Sequence, residues 1–176
     1  MCIRDSFCAT AASFVYLAAV GWYLSAADVA LLVLDVFLLT MFGTALSSCV
    51  NFFLTTDGQA SAVGTIGSAG YGFICGAYMP ISNFGDGLKN VLSFLPGTYG
   101  TSLLRNHILR GTFAEMKAQG FPTEVVDKIK ESVDCKLECF GTKVPTGAMY
   151  LILCASIVLL IAIYIGMNII AGKKRK

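Results

Sequence analysis

The chain is 176 residues long, 56% hydrophobic and only 14% charged, with a net charge of +2 and a mean hydropathy of +0.71. A soluble domain carries roughly 25% charged residues, so this composition excludes an ordinary water-soluble fold and points to the lipid bilayer. The small net charge, with no basic patch interleaved with aromatics, argues against a nucleic-acid partner.

The opening residues, MCIRDS, do not read as a signal peptide, because Arg4 and Asp5 interrupt them and no small-residue cleavage site follows a bounded apolar region. We read residues 1–6 as a non-native scar and the fold as running over 7–176, with further sequence expected upstream. Four apolar runs follow: Phe7 to Leu24, Val29 to Leu54, Ala60 to Ile81 and Ala148 to Ile170. A bilayer core of about 30 Å needs roughly 20 helical residues, so each is read as a membrane span. The second run has 26 residues, or about 39 Å of helix, and must tilt or project. Tight connections at Ser25 to Asp28 and Thr55 to Gln59 make the first three spans antiparallel neighbours. Cys8, Cys49, Cys75 and Cys154 lie inside these runs and read as small packing residues.

The second run contains one ionisable residue, Asp35 in LLVLDVFLL. A carboxylate at depth is costly and by default functional. Two readings stand open: a role in the transport path or in helix pairing, and a position near the outer interface. The third run has no charge yet five glycines, each costing about 1 kcal/mol in a water-exposed helix. Gly64, Ser68, Gly72 and Gly76 recur at every fourth position, which predicts a smooth helix face for close packing in lipid.

Between Ser82 and Gly147 the pattern changes. DGLKNVLSFLPGTYGTSLLRNHILRG holds two apolar helical stretches, Leu88 to Leu95 and Thr98 to Leu109, too short to span and joined at Pro96-Gly97. These predict a re-entrant helical hairpin over 88–110 on the external side. The polar segment 112–146 is an external insert. Within it Pro122 and Thr123 open an amphipathic helix with Val125, Val126, Ile129 and Val133 on one face. Cys135 and Cys139 stand four apart as free thiols, a strained external disulfide, or ligands for a metal held with help from elsewhere. The basic end, Lys173, Lys174, Arg175 and Lys176, places the C-terminus in the cytoplasm.

A catalytic set is not evident: the lone His107 sits beside Arg105 and Arg110 and reads as a polar interfacial contact. Nor is there a phosphate loop, since Gly172-Lys173 is followed by lysine and lacks the first glycine at the required spacing. We therefore expect a non-enzymatic chain with no cofactor of its own.

Phe52 to Leu109 resembles the membrane subunit of bacterial ABC-2 type exporters. The resemblance rests on the short turn after Phe52, the glycine-rich helix ending in Gly76, Tyr78, Pro80 and Ile81, and the hairpin marked by Phe94, Pro96 and Arg105. It implies an all-α integral membrane fold whose four transmembrane helices correspond to helices three to six of a six-helix permease. It also implies a plasma-membrane location, a second permease copy as homodimer or heterodimer, and a cytosolic ATPase partner that binds the ATP and Mg. Export of an amphipathic substrate (lipid, drug or peptide) is the implied function, and an ATP-independent membrane assembly protein is the alternative. Sliding of the two halves against the glycine face would make Gly72→Leu or Gly76→Leu impair transport more than insertion.

Overall fold

The computed structural model describes residues 3–20, 23–135, 138–139 and 142–174. The ends of the expected scar and of the basic tail, Met1, Cys2, Arg175 and Lys176, lie outside them. Seven helices account for most of the chain: α1 Ile3–Val20, α2 Ala26–Asn51, α3 Asp57–Ile74, α4 Asp86–Leu92, α5 Pro96–Ala118, α6 Thr123–Ser132 and α7 Thr146–Lys174. A two-residue antiparallel ladder, β1 Glu138–Cys139 and β2 Thr142–Lys143, is the remaining regular element apart from a 3-10 turn at Ile81–Asn83. Residues 3–6 continue α1, although the sequence reading set them outside the fold.

Two helices, α2 and α7, are long and apolar enough to cross a membrane. Only 22% and 17% of their most apolar windows is buried within the chain, whereas the core helix of a soluble protein would be mostly covered. Val33, Leu34 and Phe37 on α2 and Leu151, Val158 and Leu159 on α7 are exposed, as lipid-facing side chains are. The hydroxyls of Thr40, Thr44 and Ser48 donate to the carbonyls four residues earlier, each at 2.8 Å. Such back-bonding lets α2 carry polar residues without asking an apolar surround for partners.

α2 and α7 run parallel. Asp35 meets Tyr150, Phe42 packs with Leu153 and Ile157, and the Cys49 thiol reaches the Leu160 carbonyl at 3.4 Å. α5 packs against both in the opposite sense. Its Gly100 lies against Leu39, His107 against Asp35, Arg110 against Asp28, and Gly111 against the Tyr23 backbone. It therefore begins about halfway along α2 and runs toward the N-terminal ends of α2 and α7. Between α5 and α7, Tyr99, Leu103 and Met149 form one buried cluster.

The helix limits correct several expectations. The first run ends as helix at Val20, ahead of Tyr23 and Leu24. The second starts at Ala26, where Asp28 accepts a hydrogen bond from the Ser25 backbone N–H at 3.3 Å, and stops at Asn51 rather than Leu54. The third spans 18 residues and stops at Ile74 rather than Ile81. Gly76 terminates it: its φ is +76°, its N–H donates to Phe73 at 3.2 Å, and the Ala77 N–H donates to Gly72 at 2.9 Å. This paired closure is a Schellman ending, in which a residue of left-handed φ satisfies the last carbonyls. Gly76 is thus a stop signal and not a member of the helix face.

The hairpin is also redrawn. α4 ends at Leu92, and Pro96 opens a single helix of 23 residues that reaches Ala118, so the segment after it begins at Gln119 rather than at 112. Proline at the first helical position is favoured because its missing N–H would have had no partner there. α6 is the expected amphipathic helix, but the apolar face is Val126, Ile129 and Val133, packed with Phe113 and Cys135. Val125 points to solvent.

Candidate functional site

Asp35 is 1% exposed, the most buried ionisable side chain described. Its position on α2 places it between α5 and α7, which supply its partners. The Tyr150 hydroxyl donates to Oδ1 at 2.5 Å, and His107 Nδ1 lies 2.5 Å from Oδ2. An ionised carboxylate only accepts, so Nδ1 carries the proton and the imidazole tautomer is fixed. The two rings also stack, with centroids 6.3 Å apart and planes at 26°. Two donors, one from α5 and one from α7, thus satisfy the carboxylate on α2. Charge-assisted bonds of this kind are about twice as strong as neutral ones, and losing either donor leaves a desolvated anion. Chemically the set can hold α2, α5 and α7 in register.

Toward the N-terminal ends of α2 and α7, two members of this network, His107 and Tyr150, border a cavity of about 590 Å³. Arg110, Lys117 and Lys130 supply the charge. Leu31, Phe113 and Ala114 form its apolar wall. No acidic side chain lines it among the described residues. Arg110 Nη1 lies 3.2 Å from Asp28 Oδ1, but its side chain is 66% exposed, so the ion pair contributes about 1 kcal/mol at most. The Lys130 ammonium sits 5.1 Å from the Phe113 ring centroid.

Arg105 holds a second set together. Nη1 donates to Asp134 Oδ2 at 3.3 Å and to the Val133 carbonyl at 3.4 Å, while Nη2 donates to the Gly76 carbonyl. Asp134 has φ +53°, and its carboxylate also accepts from the Ile81 N–H. Ser102 donates to the Asp134 carbonyl at 2.7 Å. The segment after α3 and the end of α6 are in this way tied to one turn of α5.

The sequence-selected residues divide accordingly. Asp35 is hydrogen-bonded to α5 and α7 through His107 and Tyr150, and Arg105 is the clasp just described. Pro96 opens α5, and Phe94 is largely exposed beside it. On α3, Gly64 has nothing within reach of an added Cβ, Ser68 donates to the Thr65 carbonyl at 3.1 Å, and Gly72 faces the Tyr78 ring. No residue of α3 is buried. Cys135 is a free, buried thiol, and burial pushes its pKa up against the opposing pull of Arg105 and Lys130. The side chain of Cys139 lies outside the described residues. Among the described residues no cluster of three or more His, Cys, Asp or Glu could hold a metal.

Sequence reasoning missed Tyr150 and did not pair His107 with Asp35. A signal was present: an acid inside an apolar run requires a partner, and the chain has a single histidine. Comparison with protein-family models, curated proteins and solved structures finds no match.

Proposed function

We propose that this chain is the membrane-spanning permease part of an ATP-driven ABC-2 type exporter. It would form the path for an amphipathic substrate with a second permease copy, powered by a cytosolic ATPase. In this reading α1, α2, α3 and α7 are the four spans, the C-terminus faces the bacterial cytoplasm, and α4 to α6 lie toward the outside.

The observation that carries the reading is the parallel course of α2 and α7 with α5 entering between them from one end. Two parallel spans require an odd number of crossings between them, and α3 is the helix available for the return. α5 starts beside Leu39, thirteen residues or about 20 Å from the start of α2. That supports a segment dipping into one leaflet rather than crossing. Its Pro96 end is buried in protein, which is where irregular backbone at depth is tolerated.

Single cysteines at Gly58 and Gly120, in an otherwise cysteine-free full chain, test the topology in intact cells. A membrane-impermeant thiol reagent should label position 120 and spare position 58. Labelling of both from the same side overturns the four-span reading. A tagged chain purified from its native membrane should carry vanadate-sensitive ATP hydrolysis. The expected topology without that activity would instead favour the assembly-protein reading, which the uncovered length of α3 supports.

A further inference from the structure

We propose that the cavity above Asp35 is a binding site for a phosphate-bearing anion, filled in the membrane by the headgroup of an anionic phospholipid. The inference does not depend on the export reading. Three cations converge from two elements, Arg110 and Lys117 on α5 and Lys130 on α6, around a space of about 590 Å³ without an acidic lining residue among those described. A phosphate is matched there by more than charge. Asn106 also lines the cavity; its amide gives one N–H to the Cys135 carbonyl at 2.5 Å and has a second, uncharged donor to offer an anion. Guanidinium and ammonium groups together suit phosphate, the first as a planar fork and the second as a point charge.

The position selects a lipid over a free ion. The cavity lies at the level of the N-terminal ends of α2 and α7, the two helices of membrane length. Its Leu31, Phe113 and Ala114 wall offers an apolar surface beside the charges. A molecule with an anionic head and acyl chains satisfies both surfaces, while a free phosphate satisfies one. The Asp35 network closes the floor, so the headgroup would rest on His107 and Tyr150 and report directly on the contact between α2, α5 and α7.

The test uses the full chain in detergent and native mass spectrometry with phosphatidylglycerol, phosphatidylcholine and inorganic phosphate as separate probes. Lys117→Gln combined with Lys130→Gln should weaken phosphatidylglycerol binding about thirtyfold, since each basic residue near an anionic lipid surface contributes roughly a fivefold gain. Phosphatidylcholine binding should not change. Lys128→Gln, on an exposed lysine of α6 outside the lining, should leave both unchanged. Equal losses in the Lys128 variant, or no loss in the double variant, overturn the site. Millimolar inorganic phosphate that displaces phosphatidylglycerol and itself depends on Lys117 and Lys130 would support the anion site but overturn the lipid as its occupant. Unaltered gel-filtration elution of the double variant separates a lost ligand contact from a lost fold.

Discussion

α3 and α5 both carry glycines, and they use them in opposite ways. On α3, a side chain added at Gly64, Gly67 or Gly70 meets nothing within 4 Å. On α5, one added at Gly97 would collide with the Tyr71 ring and the Cys75 thiol, one at Gly100 with Leu39, and one at Gly111 with the Tyr23 carbonyl. The four-residue rhythm makes α3 conspicuous in the sequence, yet apart from Gly72 against nearby Tyr78 the close approaches are made by the less regular glycines of α5. Periodicity reports that a face is smooth. Only the neighbour decides whether smoothness is used.

The polar seam at Asp35 is what holds the glycine-mediated approaches of α5 in register, and breaking it should have the largest effect. Asp35→Leu leaves a histidine and a tyrosine without their shared acceptor, each donor costing about 1–3 kcal/mol when buried unsatisfied, read as a lowered unfolding midpoint in detergent. Tyr150→Phe removes one donor and should cost about 1–3 kcal/mol. Next comes the direct contrast. Gly111→Leu drives a side chain into backbone and should destabilise by about 3 kcal/mol, whereas Gly64→Leu should stay within about 0.5 kcal/mol in the isolated chain. Equal losses in these two variants would abolish the distinction between the helices. Arg105→Ala, which frees the segment joining α3 to α4 from α5, should cost about 2 kcal/mol and speed proteolysis between Ala77 and Gly85.

The smallest effect concerns Cys135. Because burial raises its pKa, the thiol stays protonated in the folded chain at pH values where the unfolded chain has lost that proton. Its contribution to stability is therefore complete below the ordinary thiol range and declines as the pH rises toward the raised value. Alkylation of Cys135 at pH 7.5 should be slow in the folded chain beside the same thiol in the denatured chain. Comparable rates would show that the packing of α6 on α5 opens readily.

Local signals carried much of the fold. The α6 stripe at Val126, Ile129 and Val133 obeys helical spacing and was legible, as were the apolar stretches that became α2 and α7. The end of α3 was also written in the chain, since Gly76 followed by Pro80 is a helix stop, but the four-residue rhythm competed with it. Pro96 illustrates a different ambiguity: the same residue can break a helix or begin one, and only the long helix that follows decides. The site was half legible. Asp35 stands out as a lone acid in an apolar run, but its partners lie 72 and 115 residues away, and no local pattern pairs residues across that distance. The cavity was not legible at all, because Arg110, Lys117 and Lys130 converge only once α6 folds back on α5.

The glycine stop at the end of α3 also sets a length. At 18 residues, α3 spans about 27 Å, against about 39 Å for the 26 residues of α2. If α3 crosses the bilayer, as in the four-span reading proposed above, a hydrocarbon layer about 30 Å thick would be drawn thin beside it and would swell around α2 or tilt that helix. In that reading lipids of shorter acyl chain would collect on the α3 side.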